Sequence, residues 1–401
     1  MKTIFLGGLY PKERLDEIRN NSFLGIDNAA DNLQWALVEG LDHYIEDLKI
    51  ITMPFIRNYP KGYKRIFFKT SQFAHKHGAE DVCVGFLNVI GLYTIYRYYV
   101  ITRILRKSLS KEKSTTIIIY SAHSPFLKAI EKLRRRGFLV RTCLIIPDLP
   151  EFSYLMHSKS GNLFKFLKRI DIKMIEKYRK RVDSYVLLSD FMAEKLDVFK
   201  KPFVRIEGIY NGDVVEEPVT KEVYKTVLYT GKLEKGGGIS ELLAAFKGID
   251  SPNYRLWIRG FGPMMNAVID AVESDNRIKI IDELSRAELL MLQKKATILI
   301  NPIPPSAKVS KFFFPSKTMD YLASGTPTVM FKLECLPIEY HHYIHFIETE
   351  SVDGIRDKLI ELCELSAEEH MRFGSKASRF IFEKKTPVKQ VEKLVKLLEE
   401  I

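Results

Sequence analysis

The chain has 401 residues, 46% of them hydrophobic and 11% aromatic. That composition excludes a disordered or fibrous protein and gives enough apolar material for two cores, possible at about 100–200 residues per domain. Its formal net charge is +12, and its four cysteines (Cys83, Cys143, Cys335 and Cys363) stand far apart. No disulfide scaffold or zinc ligand spacing results, which fits a reducing compartment and a protein with no bound metal. The charge is unevenly placed. Residues 1–200 hold 34 lysines and arginines against 21 acids, so they carry the whole excess. The first half therefore suits an anionic surface, and the second a small ligand.

In chain order, residues 3–6 read as a first strand, because the opening apolar run is too short for a signal peptide. Strands follow at 49–53, 82–89, 116–120, 142–146, 184–188 and 204–206, alternating with helical stretches. The longest uncharged run, VCVGFLNVIGLYTIY at 82–96, falls short of the roughly 18–20 residues a bilayer span needs. It divides into a strand and a helix over 92–109. Arg97, Arg103, Arg106 and Lys107 recur among that helix's aromatic and branched aliphatic residues. A second stretch, KGYKRIFFK at 61–69, has the same mixture, and a third basic cluster, KLRRR, lies at 132–136. Rings at headgroup level beside cations that meet anionic lipid are the chemistry of a membrane-surface segment. The alternative is a half-buried helix whose long side chains snorkel to water. Nucleic acid is set aside because no binding motif accompanies the charge.

A turn-rich segment at 210–219 separates this run from a second one. There the strands are 226–229, 255–258, 277–281, 297–300 and 328–331, and the helices 239–247, 264–272, 286–295 and 316–323. The pattern predicts an α/β fold with two doubly wound, Rossmann-like domains facing a cleft. They comprise a basic domain at 1–212 and a second domain at 213–386. An amphipathic C-terminal helix at 387–401 is placed to pack back on the first.

Three loops of the second half carry chemistry. GKLEKGG at 231–237 follows a strand and precedes a helix. Glycines such as Gly231 admit a ligand close to the backbone, and Lys232 and Lys235 add charge suited to a diphosphate. A plain strand-to-helix turn is the alternative. RGFGP at 259–263, with Gly260, repeats the arrangement. FPSKTMDYLASGTP at 314–327 opens a helix behind Pro315. Ser316 there is a natural N-cap, Lys317 adds a cation, and Asp320 lies one turn on, on the face of Ser316. A carboxylate at that position can accept both hydroxyls of a ribose while phosphates occupy the helix start.

In this order and at these separations, the three motifs resemble the donor half of a GT-B glycosyltransferase. More closely, they resemble the retaining enzymes that build bacterial capsular and O-antigen polysaccharides. The resemblance covers residues 226–331 well and the first half loosely. It implies that Lys232 and Lys235 hold the diphosphate of a nucleotide sugar, that Asp320 binds the ribose, and that Glu283 and Leu284 touch the base. Such enzymes often carry a Glu eight residues before the ribose acid, where this chain has Phe312. In the first half, His123 within SAHSP at 121–125 matches a His near donor sugar and acceptor. Gly8 matches a loop near the donor phosphates, and Asp148 and Glu151 match a segment that serves the acceptor hydroxyl or caps a helix. The activity implied is metal-independent transfer of a sugar to a lipid-linked glycan acceptor. It would occur in the cytoplasm, peripherally on the inner membrane face, with no cofactor beyond the nucleotide sugar. A nucleotide-sugar 2-epimerase and a non-catalytic nucleotide-sugar or lipid-binding protein are the competing readings.

Overall fold

A computed structural model describes residues 2–23, 25–89, 92–149, 162–212, 219–307 and 310–401. The chain divides into two compact units: Met1–Ile209 together with Pro387–Ile401, and Tyr210–Thr386.

The first unit is built on strands β1 (Thr3–Gly7), β2 (Leu48–Thr52), β3 (Phe67–Phe68), β4 (Ser71–Phe73), β5 (Asp81–Cys83), β6 (Phe86–Leu87), β7 (Thr115–Tyr120), β8 (Val140–Ile146), β9 (Ser184–Leu187) and β10 (Phe203–Arg205). Eight of them form one sheet in the order β10-β9-β8-β7-β1-β2-β5-β4. It is parallel except for the β4–β5 edge pair. β1 and β7 are buried at every residue, as expected where helices cover both faces of a parallel sheet. On one face, Leu37, Val38 and Leu41 of helix Asn28–Tyr44 share a core with Val391, Leu394 and Leu398 of the last helix, Pro387–Glu399. Gly40 permits that contact, because a Cβ there would lie 2.4 Å from the Pro387 carbonyl oxygen.

The sheet edge is fastened by charge. His75 lies 2.5 Å from Asp81 through Nδ1 and 3.1 Å from Asp42 through Nε2. The other oxygen of Asp81 accepts the Ile50 backbone N–H at 2.7 Å. Burial opposes a charge on His75, but the bonds to Asp42 and Asp81 outweigh it and push its pKa up to about 9.

One expected strand is broken. Residues 82–89 do not run through: β5 ends at Cys83, and β6 pairs instead with β3, antiparallel, in a separate two-stranded sheet. Gly85 lies at the break, where a Cβ would fall 2.5 Å from both the Phe68 carbonyl oxygen and the Thr70 nitrogen. That close approach lets the chain leave the large sheet.

The second unit carries β11 (Lys225–Lys232), β12 (Tyr254–Phe261), β13 (Ile278–Ile280), β14 (Ile298–Asn301), β15 (Thr328–Phe331) and β16 (His345–Ile347). All are parallel, in the order β13-β12-β11-β14-β15-β16. Counted from β11 this is the doubly wound order 3-2-1-4-5-6, whose ligand crevice opens at the carboxyl ends where the order reverses, here between β11 and β14. The same rule places the crevice of the first unit between β1 and β7.

Candidate active site

Both glycine loops of the second unit lie at the carboxyl edge of its sheet. Gly231 and Gly260 are register partners on β11 and β12. A Cβ on Gly260 would come within 1.9 Å of the Gly231 carbonyl oxygen, so the strand ends approach as only glycine allows. The loops are then pinned together: the Leu233 N–H donates to the Phe261 oxygen at 2.8 Å, and the Met264 N–H to the Leu233 oxygen at 2.9 Å. Lys232 and Lys235 are exposed on the first loop.

Helix Lys317–Ala323 is clamped onto that loop. The Tyr321 hydroxyl accepts the Thr230 N–H at 2.8 Å. Lys317 Nζ lies 4.1 Å from the centre of the Tyr229 ring, and the Tyr229 hydroxyl donates to the Lys232 oxygen at 2.7 Å. Burial pushes the Lys317 ammonium down to about 7. Asp320, one turn on, is held above the usual carboxylate range by burial, with Arg286 acting in the opposite sense. Arg286 opens helix Arg286–Lys295, directly after Glu283, Leu284 and the capping Ser285. The crevice thus gathers Lys232, Lys235, Lys317, Asp320 and Arg286 around two glycine turns. It suits a ligand with a polyanionic centre and vicinal hydroxyls.

Ser316 departs from expectation. It occupies the cap position, but its backbone is helical (φ −52°, ψ −34°) and its side chain makes no capping bond among the described residues. The first turn is closed by the backbone instead, through Thr318 N–H to the Pro315 oxygen at 2.8 Å and Met319 N–H to the Ser316 oxygen at 3.2 Å. The Ser316 hydroxyl is left exposed beside Lys317. Phe312 is partly exposed, whereas Phe314 turns into the core against Tyr340.

Sequence reasoning passed over Tyr229, Tyr321, Arg286 and Asn301. Asn301 ends β14 at the crevice and is fully buried. Neither atom of its amide has a partner among the described residues. Its position at a strand end bordering the order reversal was the available signal.

In the first unit, Gly8 and His123 follow β1 and β7, the two strands that border its crevice. The His123 ring packs 4.6 Å from Phe126 and 5.8 Å from Phe55, and its Nδ1 is buried with no partner among the described residues. Burial, then the charges of Arg97 and Lys168, push its pKa well below the usual value. The ring is therefore neutral, a hydrogen-bonding group rather than a cation. Gly8 is already committed: its N–H donates to Gln34 Oε1 at 2.8 Å, and a Cβ would sit 2.3 Å from the Phe55 ring. The structure thus shows close packing at that glycine and an N–H bonded within the protein. Asp148 is exposed after β8, and Glu151 lies outside the described residues.

The basic helix, Tyr93–Ser108, divides its cations. Arg103, Arg106 and Lys107 are exposed. Arg97, expected beside them on the surface, is 5% exposed. Its guanidinium lies 4.0 Å over Phe86 and 5.3 Å from Tyr93, and Nε and Nη2 have no hydrogen-bond partner among the described residues. The physical reason is its place on the apolar stripe, four residues from Tyr93 and from Ile101, with aromatic faces to receive the cation. Leu92, Ile95 and Tyr99 are more than half exposed. Tyr96 meets exposed Phe67 with ring centres 6.5 Å apart, which joins the 61–69 stretch to this helix. Among the described residues, no helix is long and apolar enough to cross a membrane.

Residues 224–364 match the family model "Glycosyl transferases group 1". No curated protein matches the sequence at a significant level. Solved structures align over nearly the whole chain at low identity. Sucrose-phosphate synthase from Thermosynechococcus elongatus is 10% identical, with a TM-score of 0.63 over 100% of this chain and 99% of its own. The UDP-forming α,α-trehalose-phosphate synthase from Burkholderia xenovorans is 9% identical, with a TM-score of 0.64 over 99% and 100%. Anabaena Alr3699/HepE, solved in complex with UDP, is 11% identical, with a TM-score of 0.61 over 100% of both chains. Residues 224–364 thus resemble a glycosyl transferases group 1 domain, and the whole chain has the GT-B fold of these solved structures.

Proposed function

We propose that this protein transfers a sugar, with retention, from a nucleoside-diphosphate sugar to a lipid-linked glycan acceptor in polysaccharide synthesis. The observation that carries the reading is the convergence of Lys317 on Gly231, between the exposed Lys232 and the half-buried Asp320. The diphosphate lies over the glycine turn, and Asp320 accepts the ribose hydroxyls. As the glycosidic bond breaks, negative charge grows on the leaving diphosphate. Fixed cations at Lys232, Lys235 and Lys317 stabilise it without a divalent metal, which is the principal catalytic contribution. His123, neutral, hydrogen-bonds the sugar or the acceptor instead of protonating it. The exposed aromatics and cations of helix Tyr93–Ser108 support contact with an anionic membrane surface, where a lipid-linked acceptor resides.

The first test is a thermal-shift panel of UDP, GDP, ADP, CMP and their sugars. A ligand at a hundred times its Kd stabilises the folded form by about 2.7 kcal/mol. One nucleotide series should raise the melting temperature, and Lys232→Ala should remove the shift. No shift with any nucleotide overturns the donor assignment. Phe312, where the resembled enzymes often carry Glu, favours a second reading of binding without transfer. Nucleotide-sugar binding with no turnover on lipid-linked acceptors would select it.

A further inference from the structure

The second unit has another concavity, at the opposite edge of its sheet. It is lined by Lys225 at the start of β11, Thr297 just before β14 and Pro327 just before β15. The glycine loops lie at the other ends of these strands. β11 alone has eight residues, roughly 25 Å at about 3.3 Å per residue. The cavity volume is 940 Å³, at the upper end of the range of small-molecule sites, about 300–1,000 Å³. One wall is helix Ala367–Lys384, brought close because Gly374 meets Gly325, where a Cβ on Gly374 would lie 1.8 Å from the Gly325 oxygen.

The lining has two chemistries. Among the described lining residues Glu222 is the one acid, against Lys221, Lys225, Lys294 and Arg379. Lys225 is paired with Glu364. The partners of Lys221 are not carboxylates: its ammonium donates to the Ala296 oxygen at 2.7 Å and to Thr326 Oγ1 at 3.1 Å. An ammonium has three protons, so this geometry leaves one for a guest. The apolar part is exposed to an unusual degree, with Val223 at 97% and Met371 at 66%, and Leu365 lies beside them in the lining. Exposed apolar groups gathered around a concavity mark a binding surface. Arg379 and Met371 stand on the same helix two turns apart, about 12 Å at 1.5 Å per residue. Along this wall of the cavity a cation and an exposed apolar group are thus separated.

We propose that this cavity binds an anionic amphiphile as a monomer. A phosphate head would sit on Lys221 and Arg379, with a hydrocarbon tail along Val223, Leu365 and Met371. The site is separate from the nucleotide crevice and does not depend on the activity proposed there.

The test uses the full chain and dodecyl phosphate below its micelle concentration, followed by calorimetry and by the 13C-methyl resonances of labelled methionines. One-to-one binding is expected, with dodecanol and inorganic phosphate each at least tenfold weaker. The Met371 methyl should shift while Met264, on the nucleotide edge, does not. Replacing both Lys221→Met and Arg379→Met should weaken binding at least tenfold. If that variant fails to fold, Met371→Glu, at an exposed position, should give the same loss. Equal binding of dodecanol, retained affinity in the charge variant, or a shift at Met264 with none at Met371 would overturn the assignment.

Discussion

The ammonium of Lys317 occupies the space that a side chain at Gly231 would need: a Cβ there would come within 2.7 Å of Lys317 Nζ. Two motifs far apart in sequence are in this way one device, and neither residue can be altered without affecting the other. Gly231→Ala should displace the ammonium and strain a backbone at φ 144°, lowering nucleotide affinity at least tenfold by calorimetry. Lys317→Met should cost as much affinity, yet leave the melting temperature of the unliganded protein unchanged or raised. It removes a charge whose burial is offset by the Tyr229 ring but, among the described residues, by no carboxylate.

The pH dependence of nucleotide binding follows from the same group. Lys317 has its pKa pushed down to about 7 in the unliganded protein, and an arriving anion favours the charged form. Affinity should therefore fall as pH rises above 7, with proton uptake on binding visible as a buffer-dependent enthalpy. Lys317→Met should flatten the profile. An unchanged profile in that variant would remove Lys317 from the diphosphate site.

His75 predicts a different pH effect, on stability. Its folded pKa, about 9, is raised above the ordinary 6.5, so the folded state holds the proton more tightly. The stabilisation is complete below pH 6.5 and is lost as pH rises through 9. The melting temperature should decline over that window in the native chain. His75→Gln should be less stable at pH 6 and lose that part of the decline.

Vesicle binding separates the cations of helix Tyr93–Ser108. Replacing Arg103, Arg106 and Lys107 by Gln should weaken co-sedimentation with anionic vesicles at low salt. At about 1 kcal/mol per cation the loss is on the order of a hundredfold. Arg97→Met should leave vesicle binding unchanged, because that side chain is buried on Phe86. Equal losses in the two variants would contradict the division of the helix into a buried and an exposed cationic face.

His123 is held neutral by burial and by the charges of Arg97 and Lys168. The rate of sugar transfer should show no titration near pH 6.5 attributable to it. His123→Ala should lower kcat, and His123→Gln, which keeps a hydrogen-bonding amide, should recover part of the loss. A wild-type inflection near 6.5 that vanishes in His123→Gln would show that the imidazolium takes part.

Much of the second unit could be read from periodicity. Helices Ile239–Lys247 and Arg286–Lys295 and strand Thr328–Phe331 have the bounds expected of them, because apolar spacing and turn residues there agree with the tertiary environment. The break at Gly85 was hidden, since a continuous apolar run looks the same whether it stays in one sheet or changes to another. Arg97 could have been placed correctly from its four-residue spacing to Tyr93 and Ile101, but charge was weighed above helical phase. Contacts such as Tyr321 with Thr230 join residues 91 positions apart, and no local pattern records them.

The last helix belongs to the first unit, and this fixes an order of assembly. The chain leaves that unit at Ile209 and returns at Pro387, so on the ribosome the second unit emerges whole while the first still lacks Val391, Leu394 and Leu398. Leu37 and Leu41 lack that part of their native cover until then, and during synthesis the part begun first is finished last. A stalled or truncated product would hold a complete second unit and an incomplete first one with an adhesive face. That face is where a chaperone would be expected to act.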